Sequence, residues 1–476
     1  MVKKEKQTAA AATVWSFLER ISTQVVGFVI GIVLARLLTP YDYGVVGLIT
    51  IFIALSNVFI DSGFANGLIR KTDRTEKDLS TAFYFNVIVG LLVYGILFLC
   101  SPLIAGYFDE PLLVPLVKIA GLNVLLNSLC IVQTALLTAN LNIRLQTIIN
   151  VCAQLPAGII AIVLAYCGLG VYALALQTVI STGLKVVMLW YFAKWRPKEK
   201  FDKASFKYLW GFGSRLLGAN LIGTFFNQIY SVLIGKYIGK DELGYFSKSS
   251  HLNSNVDSVS TGVIQKVALP VLAKYQENVD DLCKKFRDIM RLLVMIEAPL
   301  SAFFCFSAND IVVLLWTEKW IQSAVLFQLL IVGTMFNPIG QLSLSLMQVV
   351  GRTGLILKLE IPKKMVYCIY IAVGFMYGVV GLVIAHVFIN LTGALINMWA
   401  TKKILPYGYI AQLIDLGKYM VIAYTLAWII SLIVDTEFTI LNISLSFVSL
   451  FTFYTIVLLA MHDDMVLKYI KRNTSI

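Results

Sequence analysis

Residues 34 to 44 read LARLLTPYDYG, and residues 234 to 244 read IGKYIGKDELG. The two stretches align at an offset of 200, which sets Arg36 against Lys236, Asp42 against Glu242 and Gly44 against Gly244. Each closes one long helical run with a short polar turn and opens another, so each is a helix-turn-helix corner. A second series returns at an offset of 210: Gly168, Ala175, Thr182, Gly183 and Met188 recur as Gly378, Ala385, Thr392, Gly393 and Met398. Ordered matches at a nearly constant offset indicate two six-helix repeats. Six is an even number of crossings, so both repeats enter a membrane from the same side and are related by an axis along its normal.

The composition requires that membrane. Hydrophobic residues are 58% of the 476, charged residues 14%, and the mean hydropathy is +0.80. A hydrocarbon core of about 30 Å needs roughly 20 apolar residues per helical crossing, and such runs recur from Thr13 almost to the end of the chain. The ten-residue alternation of a transmembrane β-barrel is absent. The fold class is therefore all-α and polytopic, with about fourteen transmembrane helices. The division expected is 1–205 for one six-helix bundle, 206–403 for the second, and 404–476 for two additional helices. The weakest predicted crossing is the eighth, 244–271, because Ser247 to Thr261 is rich in Ser and Asn. The polar, basic N-terminus is followed by a long apolar helix without a small-residue cleavage site, so it is expected to be retained.

Basic loops alternate along this topology. Lys3, Lys4 and Lys6, then Arg70, Lys71, Arg74 and Lys77, then Lys194 to Lys207, Lys274 to Arg287, and Lys402 with Lys403 all fall on one side. Lys and Arg gather in cytoplasmic loops, which places both termini in the cytoplasm. The net charge of +12 is then largely a topological signal and calls for no nucleic-acid partner. The seven cysteines lie singly and the three histidines share no motif, so neither metal nor disulfide chemistry is expected. The outer connections are too short for a catalytic domain, and no nucleotide-binding signature is present. A carrier fits, not an enzyme, and in a carrier with parallel repeats the substrate site is expected near the repeat interface.

Polar stripes mark where that site lies. Arg20, Gln24, Gly27 and Gly31 on helix 1 match Asn220, Thr224, Asn227 and Ser231 on helix 7 at the same offset of 200. The spacing i, i+4, i+7, i+11 keeps each set on one helical face, and such a face avoids lipid by turning to a water-filled cavity or to another helix. Close packing is favoured for the glycines and the cavity for Arg20. On helix 8, Lys248, Asn255 and Lys266 share a face, with Asp257 roughly opposite. Lys266, Arg215 and Arg291 either contact substrate or snorkel to headgroups. Asp61 and Glu297 are the most deeply placed acids, read either as binding a coupling proton or sodium ion or as salt-bridge partners of intramembrane cations. Glu19 is expected to partner a nearby cation. Convergent Arg and Lys suit an anion such as a diphosphate.

At this point the sequence resembles the Wzx-type polysaccharide flippases of the multidrug/oligosaccharidyl-lipid/polysaccharide superfamily. The resemblance rests on LARLLTPYDYGVVGL (34–48), DSGFANGLIRK (61–71), VALPVLAKYQENVDDLCKKF (267–286), WTEKW (316–320) and VVGRTG (349–354), in order along most of the chain. It implies two six-helix bundles with two extra C-terminal helices. It also implies alternating-access transfer of an undecaprenyl-diphosphate-linked oligosaccharide between leaflets of the bacterial cytoplasmic membrane, with membrane lipids, a polysaccharide polymerase and other assembly proteins as partners. No cofactor is implied. Alternatives are a cation-coupled multidrug exporter, which would favour acids over bases in its cavity, and a peptidoglycan-precursor flippase. A polysaccharide polymerase or ligase is the alternative of another class, and it would be expected to carry a larger outer loop. The topology is tested by cysteine labelling from outside in a background without native cysteines. A cysteine at Tyr41 is expected to react and one at Asp202 to remain protected; the reverse pattern overturns the orientation.

Overall fold

The computed structural model describes residues 9–61, 63–71, 73–264, 268–434 and 439–465, which are helical almost throughout, with no strand among them. Contacts divide the chain into two compact units, Met1–Gly244 and Tyr245–Ile476. In the first, α1 (Ala9–Leu37), α2 (Pro40–Asp61), α3 (Phe64–Arg70), α4 (Glu76–Phe108), α5 (Leu113–Ser128), α6 (Ile131–Ala139), α7 (Ile143–Tyr166), α8 (Val171–Phe192) and α9 (Lys203–Leu233) lead to the first turn of α10 (Lys240–Val263). The second holds the rest of α10, then α11 (Leu269–Lys274), α12 (Val279–Phe306), α13 (Ala308–Trp316), α14 (Ile321–Thr334), α15 (Asn337–Val349), α16 (Thr353–Phe375), α17 (Gly378–Thr401), α18 (Tyr409–Ile433) and α19 (Thr439–Ala460).

Among the described residues ten helical spans are long and apolar enough to cross a membrane, or eleven if α5 and α6, bent by 43°, form one. Length and hydropathy therefore account for ten or eleven of the fourteen crossings predicted. The other three fall on α1, α10 and α16. In α1 the described residues form a shorter apolar helix, Ile21–Leu37. The polar run of α10 and the four charges Lys358, Glu360, Lys363 and Lys364 inside α16 lower their hydropathy.

The helices turn large apolar side chains outward as well as inward. Leu99 and Leu103 of α4 are 77% and 74% exposed, as a lipid-facing surface requires, whereas Ser101 between them is buried and returns its hydroxyl to the Phe98 carbonyl. Small residues let backbones approach where lipid supplies no hydrophobic drive for association. Ala161 and Ala165 of α7 and Ala173 of α8 pack against Ile30 and Leu34 of α1. Helix starts carry their own caps. Thr75 and Asp78 form a capping box on α4, and Lys71 reaches the same Asp78 carboxylate at 2.7 Å. The helical run is broken in the segment DSGFANGLIRK (61–71), where Gly63, at φ 71°, separates α2 from α3.

The two aligned corners meet. A Cβ added to Gly44 would stand 1.8 Å from the Lys240 carbonyl oxygen, and one added to Gly244 would stand 1.9 Å from the Pro40 carbonyl oxygen. The contact is reciprocal: 44 to 240 and 244 to 40, as a twofold relation between the corners demands. Beside it Lys236 pairs with Asp109 at 2.8 Å and holds that exposed carboxyl below its ordinary range. Tyr41 donates to Glu110, which Lys240 also approaches at 3.9 Å.

Gly44→Ala and Gly244→Ala are each expected to lower the melting temperature of the detergent-solubilised protein, by similar amounts, because overpacking against rigid backbone costs about 1–3 kcal/mol. Gly95→Ala, on α4 with open space around it, is the control and is expected to leave stability unchanged or slightly raised. Equal behaviour of all three would remove the close contact.

Candidate transport site

The stripe on α1 turns partly to α7. Glu19 accepts a 2.7 Å hydrogen bond from Asn150, so a neutral amide is one partner of the acid expected to meet a cation. A Cβ on Gly27 would stand 2.8 Å from the Gln154 side-chain amide. Asn150 and Gln154 are one turn apart on α7 and present a matching polar ridge. Gln24 is half-buried. The backbone of Arg20 lies in α1 and that of Arg215 in α9, but their side chains, and Lys266 entirely, fall outside the described residues.

The stripe on α9 is open. Asn220 and Asn227 are exposed and Thr224, between them, is half-buried, while Ile222 and Phe225 expose the other side of the helix at 63% and 54%. A helix apolar on one exposed side and amide-lined on another separates lipid from a hydrated path. Deeper in the first unit, Asn127 of α5 donates to Asn57 of α2 at 3.2 Å. Asp61, one turn beyond Asn57, is half-buried at the break before α3, with no hydrogen-bond or ion-pair partner among the described residues.

In the second unit most intramembrane charge is engaged within the bundle. Lys248 is 6% exposed, and its ammonium lies 5.0 Å from the ring centre of Trp316 and 5.8 Å from that of Trp320. Both tryptophans come from the WTEKW segment, so those residues form an aromatic cage for the lysine. A neighbouring face of α10 is stitched to α14, with Ser249 donating to the Ser323 carbonyl at 2.7 Å and Asn253 to the Thr334 hydroxyl at 2.8 Å. Asn255 is half-buried, and Asp257 accepts from Asn337 at 3.4 Å. Glu297 is 6% exposed on α12, two residues before Pro299.

Arg291 does not stand alone. It donates to Asp415 of α18 together with Arg287, whose Nε lies 2.6 Å from the other carboxylate oxygen, and Tyr407 donates to that same oxygen at 2.6 Å. A similar arrangement closes the end of α19, where Lys418 and Tyr419 donate to Asp463. Burial alone would raise the Asp463 carboxyl; Lys418, the Met465 N–H and Tyr419 outweigh it and hold it below its ordinary range.

Sequence reasoning missed Lys363. It is 2% exposed, and its ammonium reaches Glu360 at 2.9 Å and Asn397 of α17 at 2.7 Å, while Asn397 donates to the Gly340 carbonyl of α15. Three helices are joined through one lysine. The signal available was a charged cluster, Lys358 to Lys364, inside a predicted crossing. Among the described residues no three His, Cys, Asp or Glu side chains come together as a metal site.

Residues 33–325 match the family described as polysaccharide biosynthesis protein. The chain belongs to this family. The teichuronic acid biosynthesis protein TuaB of Bacillus subtilis (strain 168) is 26% identical over 297 residues, 61% of this chain and 61% of that protein's own length. The lipopolysaccharide biosynthesis protein WzxC of Escherichia coli (strain K12) is 23% identical over 406 residues, 85% of this chain and 82% of WzxC. In fold, the chain is similar to the lipid II flippase MurJ in an inward closed conformation, with a TM-score of 0.73 at 14% identity over 95% of this chain and all of that one. The stripes and charges above are thus mounted on a helical fold like that of MurJ.

Asp415 carries two arginines, so removing it leaves two poorly compensated cations, at a cost of about 3–5 kcal/mol. Asp415→Asn is expected to lower thermal stability in detergent more than Arg291→Ala, which leaves the Arg287 contact in place. A larger loss in Arg291→Ala would contradict this assignment.

Proposed function

We propose that this member of the polysaccharide biosynthesis family is a flippase. It moves an undecaprenyl-diphosphate-linked oligosaccharide from the inner to the outer leaflet of a bacterial cytoplasmic membrane, by alternating access, for surface polysaccharide assembly. The observation that carries the reading is the open amide and hydroxyl face of α9, Asn220, Thr224 and Asn227, on a helix whose other exposed side is apolar. A sugar chain needs hydrogen-bonding groups along its path, while its lipid stays in the bilayer. Family membership and the polysaccharide pathways named for TuaB and WzxC support the same cargo class.

In this reading the repeats are 1–205 and 206–403, with 404–476 as additional helices, and both termini are cytoplasmic. Gln24, Asn220, Thr224, Asn227 and Asn255 line the glycan path. Arg20, Arg215 and Lys266 neutralise the diphosphate, with Lys248 and Arg291 contributing when their present partners release them. Asp61 and Glu297 serve a coupling proton or sodium ion. A polymerase that consumes the product on the outer face would draw transport forward.

The decisive measurement is surface polysaccharide in a flippase-deficient strain complemented with each variant, alongside membrane protein level. Arg20→Ala and Arg215→Ala are expected to reduce transport about tenfold or more, since a hydrogen bond to a charged group is worth about 1.5–3 kcal/mol, without loss of the protein. Arg20→Lys keeps the charge but not the planar fork and is expected to be intermediate. Asn220→Leu with Asn227→Leu closes the glycan path and is expected to abolish complementation. Full complementation by all of these variants would sink the reading.

A further inference from the structure

At one end of the second unit α12 begins, α18 begins and α19 ends, and between them lies a cavity of about 380 Å³. That volume is within the range of small-ligand pockets, about 300–1,000 Å³. One helical stripe forms its main wall: Asp280, Lys284, Arg287, Asp288 and Arg291 follow at i, i+4, i+7, i+8 and i+11 on α12. Asp464 and Met465, past the end of α19, and Pro406, before α18, face it. Lysine and aspartate at the mouth are exposed, whereas Arg291 is deeper, its side chain 15% exposed.

The wall carries both signs in near balance. Lys284, Arg287 and Arg291 oppose Asp280, Asp288 and Asp464, with Asp415 beneath already clasped by the two arginines. Arg291 gives one terminal nitrogen to that carboxylate, and its Nε is buried and without a hydrogen-bond partner. A buried charged donor left unmatched is costly, so an acceptor belongs there. A multiply charged diphosphate would gain from the bases but be repelled by three carboxylates. A ligand with one phosphate and one ammonium satisfies both sets, and the cavity lies at helix ends, where headgroups sit.

We propose that this cavity binds the headgroup of a phosphatidylethanolamine-type phospholipid. Its phosphate accepts from Lys284, Arg287 and Arg291, and its ammonium donates at the mouth to Asp280, while Met465 and Pro406 cover the glycerol end. The primary ammonium matters because it has three N–H donors; a trimethylated ammonium has none to give that carboxylate. Arg291 is the one lining residue it shares with the groups assigned above to the cargo diphosphate, and its occupancy by a phospholipid stands whether or not the cargo is a lipid-linked sugar.

Native mass spectrometry of the full chain in detergent, titrated with phosphatidylethanolamine, phosphatidylcholine or phosphatidylglycerol, reads the occupancy directly. Phosphatidylethanolamine is expected to be retained at least about threefold more than either of the others. Lys284→Ala and Asp280→Asn are both exposed substitutions that leave the core untouched, and each is expected to remove the selectivity. Equal retention of all three lipids, preference for phosphatidylglycerol, or selectivity that survives both substitutions overturns the proposal. Inorganic diphosphate is added in a parallel arm; its displacement of bound lipid at concentrations that leave phosphatidylcholine binding unchanged would assign the cavity to the cargo's anion and likewise overturn it.

Discussion

A peptide group in hydrocarbon has no water to bond, and leaving one unmatched costs several kcal/mol. The rest of this structure follows from that constraint. It makes every long apolar run a helix, and it confines irregular backbone to places where protein covers it. The break between α2 and α3, at Gly63, sits against Gly213 of α9, whose Cα would lie 2.9 Å from a Gly63 Cβ. The bend between α5 and α6 is likewise covered, since Leu129 and Val132 pack into the cluster around Phe64 and Phe83.

With the backbone satisfied inside each helix, association between helices depends on what side chains offer, and here it uses two means. One is removal of the side chain. Gly44 and Gly244 bring backbone onto backbone at the paired corners, and Gly374 and Gly381 do so between α16 and α17, where a Cβ on either would lie 2.6 or 2.3 Å from the other's carbonyl oxygen. The other is a polar side-chain bond, buried or part-buried: Asn150 to Glu19, Asn127 to Asn57, Asn253 to Thr334 and Lys363 to Asn397 each join two helices. Such bonds are worth about 0.6 kcal/mol on average in a membrane protein, so their value lies as much in fixing rotation about each helix axis as in stability.

This division of labour changes how intramembrane charge is read. Lys248 lies over two tryptophans, Arg291 shares Asp415 with Arg287, and Lys363 is held by an acid and an amide. Each would look like a cargo ligand from position alone. The α9 face differs because Asn220 and Asn227 remain exposed although the helix belongs to an apolar span.

The helical fold class, the matching corners and the polar stripes were legible in the sequence because hydropathy and helical period are local properties, and a repeat preserves them at a fixed offset. The crossings were legible as apolar runs, except that α10, with its Ser and Asn, was placed by the repeat. What the sequence could not supply was the partner of each polar residue. Asp415 lies more than a hundred positions from Arg291, and nothing local to α12 announces it. WTEKW read as a family motif, and only folding showed that its two tryptophans box a lysine some seventy residues earlier. The sequence determined which residues had to avoid lipid, because transfer free energy belongs to a residue type. Tertiary structure alone decided which of them found another helix and which stayed open to a path, because that depends on distances between segments that no local pattern encodes.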